Sequence, residues 1–232
     1  MNAPASHRHF HDELADLKAK LLTLSGEAEA ALSAAVQALL ERDAAKAARV
    51  IAGDGTLNDL ENEVEDAVVQ LLATQQPMAR DLRLLMAALK IANDLERVGD
   101  HAVNIAQSVE RLIAFRPITP EPELVEMARQ AGTMLADAME AFVRGDAAAG
   151  RAICRRDDQV DALHRSMFRI LLTHMAEDPH LIGVAIELLL VSRNLERVAD
   201  LATNIAEDVV FLVEGKNIKH RVEDRAPGGA KG

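Results

Sequence analysis

The chain repeats itself. Leu95 to Ala106 reads LERVGDHAVNIA and Leu195 to Ala206 reads LERVADLATNIA, so Leu95 recurs as Leu195 at a constant offset of 100 residues. Upstream, Asp43-Ala44-Ala45 followed by Asp54, Leu57, Asn58 and Leu60 recurs as Asp146-Ala147-Ala148 followed by Asp157, Val160, Asp161 and Leu163, here at an offset of 103. Self-similarity over this distance means two copies of one folding unit. Any structure assigned to one half must also serve the other.

The periodicity inside each copy is helical. Leu57, Leu60, Val64, Val68 and Leu71 share one helix face, as do Leu85, Leu89, Ala92, Leu95, Ala102 and Ala106, and no strand-period alternation competes. Breaks fall at Pro77, at Arg116-Pro117 with Pro120 and Pro122, at Gly145 and at Asp178-Pro179. The sequence therefore predicts an all-α protein of six long helices: roughly 10–42, 44–75 and 78–114, then 121–144, 146–176 and 180–214. These form two tandem, pseudo-symmetric three-helix bundles, residues 10–115 and 121–216, joined by the Pro-rich stretch 116–122. Helices of about thirty residues run to roughly 45 Å, so each bundle is expected to be a rod. Residues 217–232 lack apolar periodicity and read as a disordered tail.

Composition supports this and excludes several functions. The chain is 49% hydrophobic but 2% aromatic, with no Trp or Tyr, a profile suited to close helix packing. A formal net charge of −11 repels nucleic-acid backbones and anionic lipid, and makes a cation the easier ligand. Cys154, the one cysteine, rules out an internal disulfide and reads as a packed helix residue in a reducing compartment. Met1 to His11 is polar and lacks the apolar centre of a signal peptide, so none is expected, and the most apolar stretch, Leu181 to Val191, is too short to span a bilayer and contains Glu187. A cytoplasmic protein without direct membrane insertion is expected.

The chemistry lies in carboxylates. Glu96 and Asp100 sit one turn apart on the shoulder of the buried stripe of the third helix, with Asn104 a further turn on, and Glu196, Asp200 and Asn204 repeat the arrangement. Carboxylates four apart reach a shared ion. The second helix of each copy supplies a complement, Asp54 and Asn58 in the first and Asp157 and Asp161 in the second. Like charges beside a core repel and lose hydration, and a divalent or trivalent cation between them relieves both costs. Oxygen ligands favour magnesium, manganese, calcium or iron over a closed structural zinc site.

Each assignment has a plainer rival. Glu96 with Arg97 and Glu196 with Arg197 could be solvated helix-face charges, although their recurrence at equivalent positions argues otherwise. Gly53, Asp54, Gly55 and Thr56 look like a helix start, with Thr56 and Asp59 as a capping box. Arg155, Arg156, Asp157 and Asp158 instead read as a continuous helix, which makes Asp157 and Asp161 the safer pair. His7, His9 and His11 read as an uncommitted tract, His101 is not repeated because the second copy has Leu201, and Arg80, Asp81 and Arg83 could help hold an anion at the start of the third helix. No nucleophile–base pair, phosphate loop or zinc-hydrolase signature is present.

At these residues the chain resembles the PhoU family over about residues 10–216. Gln76-Pro77-Met78-Ala79-Arg80-Asp81-Leu82-Arg83 followed by Leu95 to Asp100 looks like the family's first-repeat signature, and Leu195 to Asp200 its second. The resemblance implies two tandem three-helix bundles and acidic motifs that bind metal ions or clusters. These motifs match Glu96 and Asp100, Glu196 and Asp200, and Asp157 and Asp161, with Asp54 departing because Asn58 stands four residues on. The metal would be magnesium, manganese, iron or zinc. The resemblance further implies negative regulation of phosphate uptake and of phosphate-starvation signalling. It implies partners in the transporter's ATP-binding subunit and a sensor histidine kinase, a cytoplasmic place peripheral to the inner membrane, and a homodimer, an arrangement common among relatives. The alternative is a metal-dependent hydrolase or oxidase, since carboxylate-rich bundles hold reactive metal pairs, although such sites usually recruit a Glu-x-x-His pair from each of two helices, and the one such spacing here, Glu177 to His180, falls on the Asp178-Pro179 break.

Overall fold

The computed structural model describes residues 3–116 and 121–218, and every regular element among them is helical. In chain order these are α1 (Ala3–Glu41), α2 (Ala44–Ala52), α3 (Asp54–Gln75), α4 (Arg80–Leu112), α5 (Pro122–Arg144), α6 (Ala147–Cys154), α7 (Asp157–Glu177), a 3-10 turn (Pro179–Leu181) and α8 (Ile182–Glu214). The six expected long helices are present, and the second segment of each copy is divided into a short and a long helix.

The divisions follow local chemistry. Asp43 and Asp146 are equivalent N-caps whose carboxylates accept the Lys46 and Ala149 amides at 3.0 Å. Each opens a short helix of two turns. In the first copy Gly53 ends α2 and precedes α3 without a side-chain cap bond, so the expected Thr56–Asp59 capping box is not formed; Asp54 is already the first helical residue. In the second copy the continuous helix expected through Arg155 and Arg156 is also not formed. These two residues turn between α6 and α7, and Asp157 opens α7. Asp54 and Asp157 thus occupy matching helix N-termini, where the helix dipole favours a carboxylate.

Proline and glycine set the remaining ends. Pro122 stands in the first turn of α5, and Gly145 and Gly215 end α5 and α8 with φ of 63° and 69°. Arginines cover two helix C-termini: Arg42 donates to the Leu112 and Phe115 carbonyls at 2.6 and 2.8 Å, and Arg83 donates to the Leu212 carbonyl at 3.2 Å. Cys154 is the last residue of α6 and packs against the core. No described helix is long and apolar enough to cross a membrane. The expected tail at 217–232 lies, from residue 219 on, outside the described residues, as do the side chains of His7 and His9.

The buried residues of both copies form one continuous core. Its spine is the pair α4 and α8, each 33 residues long. They run antiparallel, since Arg83, Lys90, His101 and Arg111 of α4 meet Leu212, Asp208, Asn194 and Glu187 of α8 in reverse order. Residues related by the 100-residue offset come together where Val98 and Gly99 pass Val198 and Ala199, all buried, so the pseudo-twofold relating the copies passes there. An ion pair flanks that crossing on each side: Lys90 to Asp208 at 3.0 Å and Arg111 to Glu187 at 2.8 Å. In both, the first copy supplies the cation and the second the acid. Asp208 is 2% exposed, and Lys90 lies 5.4 Å from the centre of the Phe211 ring. Helices α1, α2 and α3 pack on α4, and α5, α6 and α7 pack on α8.

Candidate metal centre

The expected carboxylates lie beside this spine, where α3 packs on α4 and α7 on α8. Glu96 is partly buried on α4. Burial and the neighbouring Asp100 raise its pKa above the ordinary value, Glu61 and Asp54 of α3 push the same way, and Arg97 opposes them. The structure therefore brings Asp54, Glu96 and Asp100 into one field and adds Glu61. Asn58 is half-buried one turn before Glu61 on α3, and the Asn93 amide donates to Glu61 at 3.2 Å.

The second copy answers position by position. Burial, then Asp200, raises the pKa of Glu196; Asp161 adds to this while Arg197 and His164 oppose. The pKa of Asp200 is raised by burial and by Asp161, against Arg197 and His101. Glu196, Asp200 and Asp161 thus form the second site, joined by His164. Asp157 stands one turn before Asp161, in the first turn of α7. The His164 Nδ1 lies 2.5 Å from the hydroxyl of Ser192, which is fully buried. That contact fixes the ring and leaves Nε2 for another partner.

Glu61 and His164 are the residues that the search for carboxylates four apart misses. At the 103-residue offset Asp54 pairs with Asp157, Asn58 with Asp161, and Glu61 with His164. The signal lies in the repeat itself, one turn beyond the acidic pattern. Asn104 is exposed and Asn204 half-buried, and each follows the acidic pair by one turn.

His101 of α4 shares a 2.9 Å hydrogen bond with the side chain of Asn194 of α8, and burial, with the nearby Arg97 and Arg197, lowers its pKa. The arginines behave differently in the two copies. Arg97 lies 3.5 Å from Asp94, whereas Arg197 reaches Asp200 at 3.0 Å and Glu196 at 3.5 Å.

By donor chemistry both sets suit a cation, being rich in carboxylate oxygen and costly to keep charged beside a core. Among the described residues no three His, Cys, Asp or Glu side chains already converge as a metal cage. An ion would draw rotatable carboxylates together rather than enter a finished site. Nothing in either site pairs a nucleophile with a base poised for catalysis; Ser192 is buried against His164.

Comparison with known proteins agrees with the two-copy helical fold. The family model described as PhoU domain matches residues 21–109 and again 124–209, once in each copy. A curated relative from Clostridium acetobutylicum, named a phosphate-specific transport system accessory protein PhoU homolog, is 34% identical over 210 residues, covering 90% of this chain and 96% of its own. The crystal structure of PhoU from Pseudomonas aeruginosa superposes with a TM-score of 0.85 at 35% identity, covering 89% of this chain and all of that one. That of the phosphate transport system regulatory protein PhoU from Streptococcus pneumoniae gives 0.85 at 30% identity, covering 90% and 99%. These are names of accessory and regulatory proteins, not enzymes, and they set aside the hydrolase or oxidase alternative.

Proposed function

Because the chain belongs to the PhoU family, we propose that it is a non-enzymatic accessory protein of phosphate-specific transport, a metal-binding adaptor and negative regulator of phosphate uptake and phosphate-starvation signalling. In this reading it works at the cytoplasmic face of the inner membrane, between the transporter's ATP-binding subunit and a sensor histidine kinase, and a homodimer is part of the same reading. The observation that carries it is the double match of the family model, whose two segments contain the two carboxylate sites.

In the first site Asp54, Asn58, Glu61, Glu96 and Asp100 would hold the metal; in the second, Asp157, Asp161, His164, Glu196 and Asp200. The ion would be magnesium, manganese, iron or zinc. When bound it neutralises carboxylates that otherwise repel, tying α3 to α4 and α7 to α8. The chain's own residues fix the rest: Ser192 holds the His164 ring, and Arg197 balances the second site when the metal is absent.

Two measurements test this. Elemental analysis of the purified protein should find metal that is lost from a Glu96→Ala, Asp100→Ala, Glu196→Ala, Asp200→Ala variant. In cells, the same variant should leave a phosphate-starvation reporter active in phosphate-rich medium while the protein remains folded. Metal-free parent protein would remove the cofactor from the proposal, and a silent reporter in the variant would remove the sites from the regulation.

A further inference from the structure

The acidic sites occupy one end of each long hairpin, and the free ends of the two hairpins differ. On α7 the residues Arg165, Phe168, Arg169 and Leu172 continue the face that carries Asp161, at the i, i+3, i+4 and i+7 spacing of one helix stripe. On α8 the residues Ile182, Ile186, Leu190 and Arg193 run into the face that carries Glu196 and Asp200. Because Asp161 acts on both of those carboxylates, the two stripes adjoin.

That surface is apolar and open. Phe168 is 52% exposed, Leu172 54% and Ile186 47%, with Ile182 and Leu190 also exposed. A cluster of large side chains left in water on one face marks a contact surface more often than chance. Its rim is basic in a chain whose net charge is −11. Arg165, Arg169 and Arg193 are all exposed. Arg165 lies 3.7 Å from Asp161, and among the described residues Arg169 and Arg193 form no side-chain ion pair.

The first copy shows what the same fold carries at the equivalent place. Positions 165, 168, 169 and 172 correspond to Asn62, Glu65, Asp66 and Val69, and positions 190 and 193 to Lys90 and Asn93, whereas Ile182 and Ile186 correspond to Leu82 and Met86, which are exposed as well, as is Val69. The aromatic residue and the arginines are absent there, and acids replace two of them. Helix packing does not require the aromatic residue or the arginines, since the first copy folds with acidic and amide side chains in their place.

We infer that the free end of the α7–α8 hairpin is a docking surface for a protein partner, which presents an amphipathic helix with apolar residues at i, i+3 or i+4 and i+7, flanked by Asp and Glu. The apolar stripe receives the helix face and the arginines pair with its acidic flanks. An anionic membrane is the poorer occupant, because Asp161, Glu196 and Asp200 lie on the same two stripes and would be pressed toward the lipid.

Site-specific photo-crosslinking in cells carrying the full-length protein as their only copy tests this. A photoreactive residue is placed at Leu172 or at Ile186, with Val69 of the first copy as control, and the crosslinked segment is sequenced by mass spectrometry. The expected product at both test positions is one protein segment with the stated apolar spacing and an excess of Asp and Glu, absent at Val69. The yield should drop at least tenfold in an Arg165→Glu, Arg169→Glu, Arg193→Glu variant whose circular dichroism is unchanged. A synthetic peptide of that segment should bind the purified protein, with affinity falling as salt is raised. Crosslinks to lipid, to a second copy of this chain or to a basic segment, equal yields at Val69, or no product at either test position would overturn the inference.

Discussion

The two acidic sites share a plan and differ at two positions. At equivalent positions the first carries Asp54, Asn58, Glu61, Glu96 and Asp100 and the second Asp157, Asp161, His164, Glu196 and Asp200. The neutral donor has moved by one turn, from Asn58 to His164, and the number of carboxylates has not changed. The charge presented to an ion is therefore kept while the donor atoms change. The first set is all oxygen, which suits hard cations, and the second adds an imidazole nitrogen, which suits zinc or iron(II). The neighbouring arginines widen the difference. Asp94 gives Arg97 a partner away from the first site, whereas position 194 is Asn, and Arg197 turns to Asp200 and Glu196.

The contrast between the copies is expected to be largest at the spine. Lys90→Met leaves the buried Asp208 without its cation and should lower stability by about 2–3 kcal/mol, whereas Arg111→Met, facing the less buried Glu187, should cost about 1 kcal/mol. Urea denaturation measures both, and equal losses would mean that the two pairs are equivalent after all.

Metal preference should separate next. In titrations of the metal-free protein, His164→Ala is expected to lower zinc affinity at the second site about 100-fold and Ser192→Ala about 10-fold, through loss of the ring and of its support. Glu61→Ala should weaken manganese at the first site and leave zinc at the second unchanged. Identical zinc binding before and after His164→Ala would end the distinction between the donor sets.

Smaller effects follow from the arginines. Arg197→Gln removes a competing cation and should tighten the second site about two- to fivefold, the scale of an exposed ion pair, while Arg97→Gln leaves the first site unchanged. A matching gain at Arg97→Gln would show that both arginines guard their sites alike.

The smallest effect is on the metal-free protein. Glu196 and Asp200 have raised pKa values, so their charged forms cost the folded state. The cost is absent below the ordinary carboxylate range, where both states are protonated, and grows as pH rises through the ordinary values to the raised ones. Glu196→Gln should therefore stabilise the metal-free protein at pH 7 by about 0.3–0.5 kcal/mol. Thermal melts across pH should show that gain fading on acidification, and a gain independent of pH would assign it to something other than charge.

Much of the fold was legible because repetition and helical period are long-range signals that survive local detail. The long helices follow from apolar spacing and from proline, and the recurrence of Glu96 and Asp100 as Glu196 and Asp200 marks the candidate sites. The breaks at Gly53 and at Arg155-Arg156 were harder to read. Asp43 and Asp146 cap the starts of the short helices, but an N-cap does not say where a helix ends, and two arginines carry no turn signature of their own. His164 was hidden because a search for carboxylates passes over a position where the repeat has exchanged one for an imidazole. The different partners of Arg97 and Arg197 follow from a single substitution three residues earlier, which matters only once the helix places both side chains on one turn.

The polarity of the spine has its own consequence for how this molecule can exist. Both flanking ion pairs take their cation from the first copy and their acid from the second, so neither half can satisfy a twin of itself as well as it satisfies its sibling. Two detached first halves would set cation positions against Ser108 and Ala87, and two second halves would set acids against Leu190 and Phe211. Severed at the linker and mixed, the fragments should sort into one-to-one pairs. Keeping both on one polypeptide guarantees that every half is made with the only surface that suits it.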